Sequence, residues 1–142
     1  MKKITLMIAI VLSTSIAFAQ KMQEKDIPTA VKATFQKQYP KIHSVMWEKE
    51  NGFYEANFQI NKIENAVLLN EQGKITETEV AIDLSQLPKG VLDYVKIHYA
   101  SQKVHGAAKL TDATGNVTFE AGINGMDVLF DTNGKFIKEM KD

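Results

Sequence analysis

The strongest constraint on this chain's fold is that it repeats itself. Ile27-Pro28 recurs as Leu87-Pro88. Apolar residues then fall at Ile27, Val31, Phe35 and Tyr39 in the first copy and at Leu87, Val91, Val95 and Tyr99 in the second. Spacing of four, broadened by Ala30 in one copy and by Leu92 and Tyr94 in the other, predicts an amphipathic helix in each. A proline early in each helix loses nothing by lacking an N–H, because the first turn leaves that donor unused. Pro40 is expected to stop the first helix.

Short alternating runs follow each helix and predict strands. Lys41-Ile42-His43 is echoed by Lys103-Val104-His105, Tyr54-Glu55-Ala56 by Phe119-Glu120-Ala121, and Val67-Leu68-Leu69-Asn70 by Val128-Leu129-Phe130-Asp131. Glu71-Gln72-Gly73-Lys74 and Thr132-Asn133-Gly134-Lys135 have the composition of turns in which glycine supplies a positive φ, and Asn51-Gly52 is a stronger hairpin signal still. Each copy therefore reads as a helix followed by four antiparallel strands. With no second sheet to cover the strands, the helix must pack on one face and leave the other open.

The N-terminus predicts export. Met1-Lys2-Lys3, an apolar run from Ile4 to about Ile16, and Ala17-Phe18-Ala19 follow the order of a secretory signal, with cleavage expected after Ala19. The apolar run is shorter than the ~20 residues that span a bilayer, so the mature chain is not expected to be membrane-embedded. Gln20 stands where a lipoprotein would need cysteine. The expected organisation is a signal peptide at 1–19, a first repeat at 20–82 and a second at 83–142, packed as one unit and present as a monomer or weak dimer. No cysteine is present, so packing must hold the fold without disulfides.

Lysine supplies every basic residue, and seventeen basic side chains balance seventeen acidic ones. Without arginine there is no bidentate fork for phosphates or base edges, which argues against nucleic acid. No thiol chemistry is available, and the three histidines form no His-x-His or His-x-x-x-His pair, so no metal or other cofactor is expected. No serine sits in a Gly-x-Ser-x-Gly elbow. Glu48 with Glu50 and Glu77 with Glu79 each share a strand face; they read as solvated charges that discourage edge pairing rather than as an acid/base pair. Asp131-Thr132-Asn133-Gly134 opens like a calcium loop but lacks the later glutamate, and a turn accounts for it.

An early Ile/Leu-Pro, Tyr-Pro at the end of the helix, the Trp47-Glu48-Lys49 strand, Tyr54-Glu55-Ala56 and a hydrophobic strand closing on Gly-Lys, all in tandem behind a signal, resemble the periplasmic PepSY-like proteins. These are also described as similar to the beta-lactamase-inhibitor protein. The resemblance implies an α+β fold with a tandem repeat of helix plus four-stranded antiparallel sheet, helices on one face. It also implies a non-enzymatic, inhibitor-like binding role. The second copy departs from the pattern, with Ala100 for the proline after Tyr99 and Lys109 aligned with Trp47.

Taking Val104, Ala108 and Leu110 as the core side of their strand and carrying that register back puts His43, Val45 and Trp47 on the outer face. Phe53, Leu68 and Leu129 join them there, and His105 is assigned the position equivalent to His43. The expected binding surface is thus Trp47, Val45, Phe53, Leu68, Leu129, His43 and His105, docking a protein or envelope component. A register error would instead bury Trp47, so its exposure separates the two readings. The alternative function is a small-ligand carrier with a cleft between the repeats, edged by His43, His105 or Tyr94.

Overall fold

The computed structural model describes residues 20–141. The expected signal peptide and its cleavage site lie outside the described residues. The order helix then four strands runs twice: α1 (Thr29–Gln38) precedes β2 (Met46–Glu50), β3 (Phe53–Ile60), β4 (Ile63–Leu69) and β5 (Ile75–Ile82). In turn, α2 (Val91–His98) precedes β6 (Gly106–Asp112), β7 (Val117–Ile123), β8 (Met126–Phe130) and β9 (Phe136–Lys141). A short strand not foreseen from sequence, β1 (Gln20–Met22), pairs with β2. All nine strands form one antiparallel sheet in chain order, so β5 and β6 join the two halves without a break.

Each helix lies where its apolar stripe predicts. Val31 and Phe35 of α1 are buried with Tyr54, Ala56, Phe58, Val67 and Leu69, and Val91 and Val95 of α2 with Ala121, Ile123, Val128 and Phe130. Burying each of the valine, leucine, isoleucine and phenylalanine side chains among them is worth about 1.5–3 kcal/mol. Both helices end on a tyrosine whose N–H reaches back a turn, Tyr39 to Phe35 and Tyr99 to Val95, each at 2.8 Å. Tyr99 takes nearly the backbone conformation of Tyr39 although Ala100 follows it. The stop therefore does not depend on Pro40.

Continuous pairing fixes the two faces. Trp47 pairs with Ala56, Ala56 with Val67 and Val67 with Thr78, and Ile82 pairs with Ala107 and Ala107 with Ala121. Because side chains alternate with period two, these residues all share one side, and both helices pack there. The expectation of helices on one face holds.

The turns are built as their residues suggest. Asn51 and Gly52 both have positive φ (50° and 83°), the signature of a two-residue hairpin. Asn70 Oδ1 accepts hydrogen bonds from the N–H groups of Gln72 and Lys74, and Asp131 Oδ1 does the same for Asn133 and Lys135. Asp131 is thereby engaged by its own turn. Gly73, at φ +77°, lies so close to α1 that a Cβ there would sit 2.5 Å from the Ala30 carbonyl oxygen.

Candidate functional site

The seven residues expected to form one surface divide between the two sides of the sheet. Trp47 is only 5% exposed and packs edge-on against Phe35 at 5.4 Å. Val45 is half-buried against the same cluster. Trp47 and Val45 therefore belong to the helix side, which corrects the outer-face assignment. Met46, next to Trp47 in the strand, is 50% exposed on the other face.

The physical cause of the error lies in β6. Ala108 and Leu110 are buried, but they face away from the helices, since Leu110 pairs with Glu79 and Ala108 with Ala81. Lys109 is on the helix side, where it is exposed because β6 runs between the two helix cores. Burial at Ala108 and Leu110 thus marks the face away from the helices, while Ala107 between the two helix cores is buried on the helix side. The partner of Trp47 in the second half is not Lys109 but Ala107, which pairs with Ala121 as Trp47 pairs with Ala56.

Phe53 is exposed and Leu68 half-buried on the face opposite the helices, as expected. Leu129 is on that face too, but buried, at 7% exposure, so it is no exposed anchor. His43 and His105 are exposed in the segments leading into β2 and β6. They are not equivalent: His105 stands two residues before Ala107, as Val45 stands two before Trp47.

On the helix side, Trp47, Val45 and His43 do come together. With Phe35, Tyr39 and Lys32 they line a cleft of about 380 Å³ beside α1. His105 and Tyr94 take no part in it. Tyr94 instead stacks on His98 and Phe136.

The opposite face has a chemistry that single-strand reading missed. Leucines on alternate strands, Leu68, Leu110 and Leu129, are separated by glutamates on the strands between. Leu68 pairs with both Glu55 and Glu77, Leu110 with Glu79, and Leu129 with Glu120. Glu77 and Glu79 are on β5, the middle strand of the nine, rather than at an edge, so their expected role in guarding an edge is not theirs. Burial, followed by repulsion from Glu55, Glu77 and Asp127, pushes Glu79 up to about 7. Burial also raises Glu55, with Glu48 and Glu50 adding to it and a hydrogen bond from Asn57 opposing. Glu77 is raised by burial, with Lys138 opposing and Asp112 and Glu55 adding. Asp112 itself is held down at about 2 by hydrogen bonds from Thr114 and Asn116 in its own turn.

At one end of this face, where the two halves meet, is a depression of about 310 Å³. Its floor includes Ala66, Ala81, Gly106, Ala108 and Gly122, and Glu64, Glu79, Glu120 and Asp127 stand around it. A cleft of about 700 Å³ opens near β2 to β4, with Glu48, Glu55 and Glu64 among its walls and Lys41 and His43 at the same walls. Such an array attracts cations and repels anions. Among the described residues, no three or more His, Asp or Glu side chains are arranged to hold a metal ion. No helix among them is long and apolar enough to cross a membrane.

This architecture is shared with solved bacterial proteins. One described as "putative periplasmic proteins" from Bacteroides eggerthii is 16% identical and superposes with a TM-score of 0.68, covering 80% of this chain and 88% of its own. A DUF2874 family protein from Bacteroides uniformis, 18% identical, gives 0.67 over the same shares. A BLIP-like protein from Bacteroides fragilis, 22% identical, gives 0.58 over 80% of this chain and 86% of its own. No curated protein matches this chain. The model of the family described as "Putative beta-lactamase-inhibitor-like, PepSY-like" matches twice, over residues 17–77 and 53–138. With nearly the whole described chain under that match, and with two helices on one side of an antiparallel sheet, the chain belongs to the PepSY-like, beta-lactamase-inhibitor-like family.

Proposed function

We propose that this protein is a non-catalytic binding module of the bacterial periplasm that docks a protein or envelope component on the open face of its sheet. We read it as two repeats, 20–82 and 83–142. One observation carries the reading: among the described residues no helix covers that face, yet it bears Phe53, Leu68, Leu110 and Leu129 among partly desolvated glutamates. A face meant only for water has no need to bury carboxylates beside leucines. The inhibitor-like description of the family and the BLIP-like neighbour support a binding role.

The test is site-specific photocrosslinking in the exporting cell. A benzophenone side chain at Phe53 is expected to give a discrete adduct that is competed away by excess unlabelled protein. The same group at Ile97, which is 73% exposed on α2, is expected to give none. Equal labelling at both positions, or no competed adduct at Phe53, would sink the proposal.

A second reading is supported by the aromatic cleft beside α1. Its volume and its Phe35, Tyr39 and Trp47 walls suit a small planar ligand. Since Trp47 is the one tryptophan, a ligand seated there would change its emission, and a screen of aromatic acids and amines that leaves the emission unmoved would dispose of the idea.

A further inference from the structure

We infer that the partner taken by the open face is a cationic polypeptide segment, lysine- or arginine-rich and extended across the strands. This rests on the docking reading above and adds the chemistry of the occupant.

Charges of opposite sign are segregated in the folded chain. Acidic and basic residues balance over the chain, but the sheet sorts them. Pairing places Glu55, Glu64, Glu77, Glu79, Glu120 and Asp127 on the open side of β3 to β8. The strand lysines on that side stand at the two margins, Lys21 on β1 and Lys138 on β9, and Lys41, ahead of β2, reaches the wall of the cleft that Glu48, Glu55 and Glu64 line. Lys49 and Lys109 are on the helix side, where the Lys49 ammonium lies 4.9 Å from the centre of the Tyr54 ring and donates to its hydroxyl at 3.1 Å. Cross-strand pairs of opposite charge stabilise a sheet and like charges weaken it, so an arrangement built for stability alone would interleave the two signs. Here Glu79 has Ala66 and Leu110 as its cross-strand neighbours, and no lysine.

Two features favour a polypeptide over a metal ion. A hard cation such as calcium needs six or more oxygens converging at about 2.3–2.6 Å, whereas these carboxylates are spread over successive strands about 4.8 Å apart and form no metal-holding group. The glutamates also alternate with leucines, and the small-residue depression where the halves meet leaves room for a side chain to enter. An extended cationic chain offers both elements: ammonium or guanidinium groups for the carboxylates and aliphatic stems for the leucines.

The experiment is fluorescence anisotropy of labelled octa-lysine, with octa-glutamate as its opposite, against the purified protein at pH 8 and low salt. Octa-lysine is expected to bind saturably and octa-glutamate not at all. The combined variant Glu55→Gln, Glu77→Gln, Glu79→Gln is expected to weaken octa-lysine at least ten-fold. A matched variant away from this face, Glu24→Gln, Glu71→Gln, Asp93→Asn, is expected to change it less than two-fold. Circular dichroism shows whether each variant is folded, and the single variant Glu79→Gln replaces the triple if the triple is not. Equal loss in the two variants would overturn the inference, as would displacement of octa-lysine by stoichiometric calcium but not by magnesium. If octa-lysine fails to bind while the Phe53 crosslink still forms, the cationic partner is wrong and the docking face stands. If both fail, both readings fall.

Discussion

Glu79→Gln should make the protein more stable at neutral and alkaline pH, and the gain should have a definite pH dependence. In the folded chain the carboxyl titrates near 7 against an ordinary value of 4.5, chiefly because it is buried and then because Glu55, Glu77 and Asp127 repel its charge. Folding thus favours its protonated form. Between about pH 4.5 and 7 the folded state holds a proton that the unfolded state has released. Stability therefore falls as pH rises through that window and is level above it. The full shift corresponds to about 3 kcal/mol, but Glu79 keeps part of its surface in water, and screening reduces this to about 1–2 kcal/mol.

Glutamine is nearly isosteric and cannot ionise, so the variant escapes the penalty. Urea denaturation at a series of pH values should show wild type and variant close together near pH 4.5. By pH 8 the variant should lead by that 1–2 kcal/mol, or roughly 4–8 °C in melting temperature for a chain of this size. Glu55 and Glu77 are raised in the same direction, and neutralising Glu79 also relieves them, which adds to the gain. A gap that does not change with pH, or a variant less stable than wild type at pH 8, would refute the reasoning. Confirmation would mean that the native chain retains a side chain that weakens its fold in the middle of its uncovered face, which is where a binding role would keep one.

Trp47→Ala empties part of the first core and should cost about 3–5 kcal/mol in urea unfolding, and the native tryptophan should emit blue-shifted and resist acrylamide, since it is 5% exposed. Gly73→Ala meets both a positive φ and the Ala30 carbonyl and should cost about 2 kcal/mol or more, whereas Gly52→Ala, with open space around it, should cost only about 1 kcal/mol; equal losses would mean that contact with α1 is irrelevant. Tyr99→Phe removes the hydroxyl that donates to Glu139 and should cost about 1 kcal/mol. In ultraviolet titration the same variant should lose the phenol that burial and Glu139 push up to about 12.

The elements were legible because their signals are local. A four-residue apolar spacing can be satisfied only by a helix facing a core, and Val31, Phe35, Val91 and Val95 are all buried as that spacing requires. The turns follow from single residues, since Asn51-Gly52, Asn70 and Asp131 direct the backbone by their own conformations and hydrogen bonds. The acidic face was not legible, because it exists only across strands. Glu55, Glu79 and Asp127 are far apart in the chain and repel one another only after β3 to β8 are in register. The glutamates were visible as pairs; their shared burial was not.

The side taken by Trp47 lies between these cases, and it was derivable. Alternation says that neighbouring residues differ in face, not which face the helix takes, so each strand needs an outside reference. β6 is a misleading reference, because Ala108 and Leu110 are buried on the side away from the helices and the parity is inverted. The hairpin offers a better one. A two-residue turn at Asn51-Gly52 forces Glu50 opposite Phe53, and counting back sets Trp47 opposite Ala56. Ala56 shares a side with Tyr54 and Phe58, whose aromatic bulk already assigns them to the core. Turn geometry therefore transmits register more securely than burial does, because it is fixed by two residues rather than by the packing of a whole sheet.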